Sequence, residues 1–321
     1  MRVLVTGGTG FIGSHVVDKL RDRGFDVRIF DMMLPSRKDV EFYQGSILNI
    51  DEVGMACSGV DVVIHLAAIA DVKQVAEEPV YSEMINVRGT INLLEASRTH
   101  HVKRFIYIST TWVYSAAVGE QVDEKTPLLY PDHLYTATKI ASEYYCQTYN
   151  KLYNLPFTVL RYGIPYGPRA RDGAVVPIFV RKALNGEALT LAGDGLQFRK
   201  FVYVEDLAEG TVLAIKSIAK NKIYNLDGKE KISIRQIAET IQKIIGNVKI
   251  EYIPSRPGDF SGKDVSSRLA REELGWEATT PFEVGVQKYV EWYKTYKHKQ
   301  ELNWNEIDKK LDGLELVASR D

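Results

Sequence analysis

Short apolar segments alternate with longer amphipathic ones along the first half of the chain. Helical spacing of apolar residues predicts helices over Phe11–Arg23, Pro79–His100 and Thr138–Tyr153. β-branched and apolar runs predict strands at Arg2–Thr6, Asp26–Asp31, Glu41–Gln44, Val60–Leu66, Arg104–Ser109 and Phe157–Tyr162. Helices between consecutive strands favour right-handed crossovers and a parallel sheet. The pattern therefore predicts an α/β fold with a doubly wound parallel sheet, covered by helices on both faces.

The pattern changes after Tyr162. Turn-forming residues predict a loop over Gly163–Asp172. Later segments predict helices at Ile178–Asn185, Ile234–Ile245 and Phe282–Tyr293, and a strand at Leu189–Ala192. We therefore predict two units: residues 1–163 form the large sheet, to which the chain returns around 200–227, and residues 164–321 form a smaller α/β region. The charged tail from Tyr296 onward carries a weak helical stripe.

Composition narrows the class of protein. Apolar residues make up 45% of 321 residues, enough for a large core, and the net charge of −1 gives no general attraction to nucleic acid or anionic membranes. The N-terminal apolar run is too short for a signal peptide or a membrane span, and two cysteines, Cys57 and Cys146, fit a reducing cytoplasm. The histidines lack metal-ligand spacing, so no metal site is predicted.

A glycine-rich turn follows the first strand and opens the first helix. Gly8, Gly10 and Gly13 satisfy GxGxxG, while Gly7, Gly10 and Gly13 satisfy a looser GxxGxxG. Glycine lets a pyrophosphate approach backbone N–H groups at a helix N-terminus, which predicts dinucleotide binding in a Rossmann domain. Asp31 ends the second strand, where a carboxylate can bind both ribose hydroxyls and repel a 2′-phosphate. This predicts NAD rather than NADP, although the neighbouring Arg37 and Lys38 leave NADP open.

Tyr135 and Lys139 are four residues apart, so a helix would place the phenol and the ammonium on one face. A nearby ammonium and a positive nicotinamide would both lower the phenol pKa, which suits a base acting on a sugar hydroxyl. Ser109 and Thr110 end the preceding strand at the ligand-binding edge of the sheet, where a hydroxyl can bond the reacting oxygen. Strand-end capping by Thr110 and a surface Tyr–Lys pair are the alternatives.

An ordered series of motifs now identifies a family. The series comprises GGTGFIGSH (Gly7–His15), HLAA (His65–Ala68), NVRGTINLLEAS (Asn86–Ser97), STTWVY (Ser109–Tyr114), YTATK (Tyr135–Lys139), YGPR (Tyr166–Arg169), GDGLQFRKFVYVEDLA (Gly193–Ala208) and RPGD (Arg256–Asp259). The chain resembles the NAD-dependent nucleotide-sugar epimerase/dehydratase family, the extended short-chain dehydrogenases, from Arg2 to about Tyr293.

The resemblance implies a role for each matching residue. Thr110, Tyr135 and Lys139 match the catalytic set, and Lys139 would also hold the nicotinamide ribose. NAD would contact Gly7, Gly10, Phe11, Ile12, Gly13, Asp31, Ile47, Leu66, Ala67, Ala68, Asn86, Ser109, Tyr135, Lys139 and Tyr162. The substrate would contact Thr111, Val176, Arg199 and Arg256, the two arginines clamping its pyrophosphate. The resemblance also implies a homodimer formed by Pro79–His100 and Thr138–Tyr153.

Departures from the family pattern reduce the number of reactions that the chain is expected to catalyse. Family dehydratases usually carry Asp-Glu where Thr111 and Trp112 stand, and related decarboxylases carry Glu at the Trp112 position. We therefore expect a 4-epimerase acting on a nucleotide-linked sugar, with UDP as the default base. A dehydrogenase or reductase on the same scaffold and a non-catalytic NAD-binding sensor remain the alternatives. Many family members carry a substrate-contacting Asn where Ile164 stands, so the sugar stays open. Three further departures are Lys200 in place of a common Asp, Ser46 in place of an Asp that often contacts adenine, and Ser115 in place of a usual Gly. Arg171 is interpreted as a solvated loop residue, with a hexuronate carboxylate as its alternative partner.

Overall fold

The computed structural model describes residues 1–254 and 262–297. Its helices are α1 (Phe11–Asp22), α2 (Ile50–Cys57), α3 (Val72–Glu77), α4 (Pro79–Glu83), α5 (Gly89–Thr99), α6 (Leu134–Tyr153), α7 (Val175–Leu184), α8 (Val204–Leu213), α9 (Ile234–Ile245), α10 (Arg268–Leu274) and α11 (282–297). Its strands are β1 (Arg2–Thr6), β2 (Asp26–Asp31), β3 (Glu41–Gln44), β4 (Val62–His65), β5 (Arg104–Thr110), β6 (Gln121–Val122), β7 (Phe157–Tyr162), β8 (Ile164–Tyr166), β9 (Leu189–Ala192), β10 (Phe198–Tyr203), β11 (Lys222–Leu226), β12 (Lys231–Ser233), β13 (Ile250–Ile253) and β14 (Asp264–Val265).

Seven parallel strands form the main sheet in the order β11-β7-β5-β4-β1-β2-β3. The chain leaves β1 towards β2 and β3 and then crosses to β4 on the other side, so the strand order reverses between β1 and β4. The predicted doubly wound parallel fold is confirmed. Ligands bind such sheets at the carboxyl ends of the strands beside this reversal.

Alternate residues of each central strand supply two hydrophobic layers. On β1, Val3 and Val5 face a cluster that includes residues of α1, α8 and α10. Leu4 faces the opposite cluster, which includes residues of α2, α5 and α6. Because both faces are covered, the strands are apolar throughout, which is the pattern seen in the sequence.

The second half of the chain builds a smaller region with its own core. Its strands form a three-stranded sheet, β12-β10-β8, and the pair β13-β9. Phe179, Val180, Ile237 and Val286 meet in one buried cluster beneath these strands. One later strand, β11, does not join this region but pairs with β7 at the edge of the main sheet.

The helix that carries Tyr135 begins earlier than predicted. The sequence predicted a helix from Thr138, whereas α6 starts at Leu134 and includes Tyr135 in its first turn. Its N-cap, His133, makes no side-chain capping hydrogen bond, so the usual sequence signal for a helix start is missing. The correction keeps Tyr135 and Lys139 one helical turn apart on the same helix.

The predicted loop at Gly163–Asp172 contains a strand that the prediction missed. Ile164, Pro165 and Tyr166 form β8, which pairs in parallel with Phe201–Tyr203. A proline is tolerated here because β8 lies at the edge of its sheet. The strand brings the segment after β7 back across the mouth of the main sheet.

The predicted helix Pro79–His100 forms α4 and α5 joined by one π-helical turn, Met84–Arg88. Such turns often occur at functional positions. Here Asn86 lies on the turn and faces the end of β4. Within residues 1–254 and 262–297, no helix combines the length and apolar character needed to cross a membrane.

Candidate active site

The glycine turn packs too closely for side chains at its key positions. Gly7 has φ +68°, and Gly10 donates a hydrogen bond to the Gly7 carbonyl at 3.1 Å. A Cβ on Gly13 would lie 2.0 Å from the Gly7 oxygen. The turn delivers the chain into α1, whose N-cap Gly10 makes no side-chain capping bond. The first N–H groups of α1 are therefore available to an anion such as a pyrophosphate.

Asp31 lies beside this turn at the carboxyl end of β2. Its carboxylate accepts hydrogen bonds from the backbone N–H groups of Thr9 at 3.0 Å and Met33 at 3.1 Å. The neighbouring Arg37 is held away by two other carboxylates, Asp18 at 2.8 Å and Asp39 through a bidentate pair. The carboxylate can therefore bind ribose hydroxyls, while the Arg37 guanidinium is already paired.

A cavity of about 570 Å³ opens at the carboxyl ends of the central strands. It is lined by thirteen of the predicted cofactor and catalytic residues, namely Gly7, Gly10, Phe11, Ile12, Gly13, Leu66, Ala67, Ala68, Ser109, Thr110, Tyr135, Lys139 and Tyr162. The segment after β7 closes the opposite wall with Ile164, Pro165, Ala170, Arg171 and Ala174. The structure thus brings the glycine turn and the proposed catalytic set into one space.

Thr110, Tyr135 and Lys139 converge on this cavity from β5 and α6. The Thr110 hydroxyl acts on the Tyr135 phenol and lowers its pKa. The Lys139 ammonium donates to the Ile108 carbonyl at 2.8 Å and lies 6.0 Å from the centre of the Tyr135 ring. The arrangement places a phenol, a hydroxyl and a buried cation on the wall of one cavity, where an ionised phenol can accept a proton from a bound alcohol.

Burial dominates the electrostatics of this set. Desolvation raises the pKa of Tyr135 to about 12, while the charge of Arg171 and the Thr110 hydroxyl oppose that rise. Burial lowers the pKa of Lys139 to about 8, and the charge of Glu143 opposes that fall. The sequence assigned the lowering of the Tyr135 pKa to Lys139, but in the structure the side-chain cation that lowers it is Arg171. The Lys139 ammonium instead faces the Ile108 carbonyl and the Tyr107 ring.

A second cavity of about 240 Å³ adjoins the first, and Val72, Trp112 and Ile164 line both. The Trp112 and His133 rings lie 5.3 Å apart and form part of its wall. The predicted substrate residues Thr111 and Arg199 lie here, together with the cationic side chains of Lys200 and Lys263. Arg256 lies outside the described residues.

Four predicted contacts line neither cavity: Asp31, which lies beside the glycine turn as described above, and Ile47, Asn86 and Val176. Ile47 is buried against Gly89, and its carbonyl accepts from Asn92 at 2.9 Å. The Asn86 amide is bonded to both backbone groups of Ile69, so it holds the segment after β4. Val176 is buried in the core of the smaller region, because the turn of α7 directs it inward.

Three residues around the site, Asp71, Glu143 and Arg161, were not predicted from the sequence, and Arg171 was interpreted as a solvated loop residue. Asp71 and Arg171 form an ion pair of 3.4 Å between the segments after β4 and after β8, and both line the cavity. Glu143 and Arg161 form a buried ion pair of 2.6 Å behind Lys139. Glu143 follows Lys139 by four residues, which is the one signal in the sequence that could have pointed to it.

Comparisons with known proteins agree with this geometry. Residues 3–227 match the model of the NAD dependent epimerase/dehydratase family. A UDP-glucuronate 4-epimerase of Thermodesulfobacterium geofontis is 33% identical over 313 residues, covering 91% of this chain and 95% of the relative.

Two solved structures cover 92% of this chain and 99% of their own chains. One is the UDP-glucose 4-epimerase of Thermotoga maritima with UDP-glucose, at 33% identity and a TM-score of 0.85. The other is the UDP-glucose 4-epimerase of Thermus thermophilus in complex with NAD, at 34% identity and a TM-score of 0.83.

Proposed function

Because the chain belongs to the NAD dependent epimerase/dehydratase family, we propose that it is an NAD-dependent UDP-sugar 4-epimerase. One observation carries the proposal: Thr110, Tyr135 and Lys139 line the same cavity as the glycine turn at the switch point of the sheet. A sugar in this cavity can therefore have a hydride acceptor beside one of its carbons and a proton acceptor beside the hydroxyl on that carbon.

The residues of the glycine turn and β2 fit NAD. The close approach of Gly13 to the Gly7 carbonyl leaves the backbone surface that a pyrophosphate needs. NAD, when bound, takes a hydride from the sugar and gives it back. We propose Lys139 as the donor to the nicotinamide ribose and Asp31 as the acceptor for the adenosine ribose.

The proton moves through Tyr135. We propose that its phenolate oxygen takes the proton of the hydroxyl at the carbon that inverts, with Thr110 hydrogen-bonded to the same oxygen. Burial alone opposes ionisation of this phenol, so the reaction needs cationic charge beside it. Tyr135 returns the proton once the sugar presents its other face.

The residues that line the adjoining cavity support a nucleoside diphosphate sugar as the substrate. Arg199, Lys200 and Lys263 bring three cationic side chains to its wall, and guanidinium and ammonium groups pair well with phosphate oxygens. Thr111 and Trp112 provide no acid for water elimination, which favours inversion over dehydration. Arg171 lines the catalytic cavity, so both neutral hexoses and hexuronates belong in the substrate panel.

The decisive test is incubation of the purified protein with UDP-, GDP- and dTDP-sugars, with products identified by mass and NMR. We expect a UDP-sugar product of unchanged mass and inverted stereochemistry at carbon four, with no net reduction of NAD. Growth of reduced-nicotinamide absorbance in proportion to substrate would instead make the protein a dehydrogenase. Loss of water or carbon dioxide would contradict the assignment drawn from Trp112.

Asp31 gives a test of the cofactor. We expect Asp31→Ser to weaken NAD binding by at least about 10-fold, because the charged acceptor of two ribose hydrogen bonds is lost. NADP binding should not weaken, because the repulsion of a 2′-phosphate is removed, so the preference shifts towards NADP. Calorimetric titration with both cofactors measures the two affinities, with Asp26→Asn at the other end of β2 as the control. An unchanged NAD affinity in Asp31→Ser would contradict the assignment.

We propose a homodimer formed by α4 to α5 and α6. These helices expose large apolar side chains at Tyr81, Met84, Tyr145 and Leu152. We expect Met84→Asp/Tyr145→Asp to raise the dimer dissociation constant by at least about 100-fold, because two anchors become charged. Sedimentation velocity measures this, with Ile218→Asp, an exposed apolar residue elsewhere, as the control. A monomeric wild type at micromolar concentration would overturn the proposal.

A cytoplasmic location remains part of the proposal. Cys57 and Cys146 are both free and buried. Burial raises the pKa of the Cys57 thiol to about 12 and that of Cys146 well above its ordinary value, so neither forms a reactive thiolate. Such thiols suit a reducing compartment.

A further inference from the structure

A buried carboxylate lies one helical turn beyond the catalytic lysine. Both oxygens of Glu143 are occupied: one accepts from the Ser109 hydroxyl at 2.5 Å and from Arg161 Nε at 3.0 Å, and the other from Arg161 Nη2 at 2.6 Å. The side chains of Glu143 and Arg161 are 1% and 3% exposed. Burying ionised groups this deeply costs desolvation free energy unless an opposite charge and hydrogen bonds offset it.

We propose that Glu143 and Arg161 are a positioning pair for catalysis: Glu143 is the counter-charge that keeps Lys139 protonated, and Arg161 fixes Glu143 in place. The proposal rests on the proposed function, because it concerns the same Thr110, Tyr135 and Lys139 set. Neither residue touches the cavity that holds this set.

The surroundings of Lys139 leave Glu143 as its only anionic neighbour among the described residues. The ammonium contacts the Ile108 carbonyl and the Tyr107 ring from β5 and lies 6.0 Å from the centre of the Tyr135 ring. The side chains coupled to it electrostatically are Glu143 and Cys146 from α6 and His65 from β4. Burial raises the pKa of Tyr107, Tyr135 and Cys146, so all three are neutral at pH 7. Burial lowers the pKa of His65 to about 3, so its imidazole is neutral as well.

A catalytic lysine in this position needs such a counter-charge. Burial already lowers the pKa of Lys139 to about 8, and Glu143 is the largest influence acting against that fall. The ammonium form donates a charge-assisted hydrogen bond to a ribose hydroxyl, which is stronger than the bond a neutral amine can donate. Without the carboxylate, desolvation would leave Lys139 largely neutral near pH 8.

Arg161 and its partners connect this charge to both cavities. Arg161 lies opposite Ser109 in the β5–β7 register, and its Nη1 donates to the Tyr114 hydroxyl at 2.5 Å. Tyr114 in turn donates to the Asn225 side chain on β11 at 2.9 Å. Because Tyr114 closes the short turn that carries Thr111 and Trp112, the same network holds the wall of the adjoining cavity.

The direct test measures the lysine rather than turnover. In NAD-loaded protein labelled with ¹³Cε-lysine, NMR titration reports the pKa of Lys139, and its signal is identified by its absence in Lys139→Met. We expect Glu143→Gln to lower this pKa by about one unit, since one nearby opposite charge is lost. Glu143→Asp, which keeps the charge, should leave it within about 0.3 unit. An unchanged pKa in Glu143→Gln overturns the proposal.

Kinetics on the same variants test the catalytic consequence. The alkaline limb of the kcat profile should move to lower pH by about one unit in Glu143→Gln, while KM for the UDP-sugar changes less than about twofold. Arg28→Met/Glu41→Gln removes another buried-arginine ion pair, at the far edge of the sheet, and should destabilise the protein without moving the limb. A limb that stays in place in Glu143→Gln contradicts the proposal.

A second variant keeps the proposal testable if Glu143→Gln does not fold. If Glu143→Gln leaves Arg161 unpaired and the protein unfolds, Glu143→Gln/Arg161→Met removes both charges. Arg161 is paired with the same carboxylate at 2.6 Å, so its positive charge opposes the effect of Glu143 on Lys139. The lysine pKa should therefore fall in the double variant, but by less than in Glu143→Gln, and no fall at all would overturn the proposal. If no UDP-sugar is converted by the wild type, the proposed function fails, but the NMR titration still decides the role of Glu143.

Discussion

Tyr135→Phe should reduce kcat with the UDP-sugar by about 10³-fold or more, while NAD still binds within about threefold of the wild-type affinity. The phenylalanine ring fills the same volume but has no oxygen to take the sugar proton, and general base catalysis contributes roughly 10²- to 10⁴-fold. The glycine turn, which is predicted to bind NAD, lies between β1 and the first turn of α1, and Asp31 ends β2, so neither belongs to α6. Product NMR gives the rate, and calorimetry gives the NAD affinity.

Tyr144→Phe provides the matched control for this variant. Tyr144 lies on the same helix but is exposed on its surface, so removing its hydroxyl should leave kcat within about twofold. Turnover by Tyr135→Phe within about 10-fold of wild type would show that another group takes the proton. In that case Thr110, whose hydroxyl acts on the phenol, would become the candidate.

Gly13→Ala should raise the NAD dissociation constant by at least about 100-fold, equivalent to about 2.7 kcal/mol. The new Cβ would lie 2.0 Å from the Gly7 oxygen and 2.8 Å from the Gly7 carbonyl carbon. Both are backbone atoms of the turn, which cannot rotate away, so α1 must move from β1. We expect the unfolding free energy to fall by about 3 kcal/mol as well, the upper end of the cost of overpacking.

Thermal melts with and without NAD measure both effects of Gly13→Ala. In the wild type, saturating NAD should raise the melting temperature, because it binds only the folded chain. That rise should disappear in Gly13→Ala. Gly54→Ala is the control, since Gly54 lies in α2 with nothing nearer than the His100 ring at 3.9 Å. It should add about 0.5 to 1 kcal/mol of stability and retain the NAD effect. A full NAD-induced rise in Gly13→Ala would contradict the assigned turn.

The main sheet could be predicted because each strand carries its own signal. Val3, Leu4 and Val5 are consecutive apolar residues, and the structure shows why: adjacent residues face different helical layers. The glycine turn was equally readable, because its spacing, the preceding strand and the following helix are all local. Asp31 followed from its distance along the chain and lies beside the turn, bonded to Thr9.

Contacts between distant segments could not be predicted in the same way. β8 forms because Ile164–Tyr166 finds a partner more than thirty residues later, and nothing within the segment signals this. Val176 was assigned to the substrate, but the period of α7 directs it into the core. The Glu143–Arg161 pair joins a helix to a strand 18 residues away, and only burial turns two common side chains into a functional unit.

The chain builds most of the main sheet, then strands of the smaller region, and then returns to the main sheet with β11, and this order affects how the enzyme folds. The strand β11 enters the main sheet only after β8, β9 and β10 have been made, and Asn225 on β11 completes the hydrogen bonds of Tyr114. A chain that stops after β7 would leave that strand with a row of unpaired N–H and C=O groups, an edge prone to self-association. The main sheet and the smaller region are therefore interleaved along the sequence and do not form two consecutive segments. A nascent chain cannot complete the hydrogen bonds around this catalytic centre until β11, Lys222–Leu226, has been synthesised.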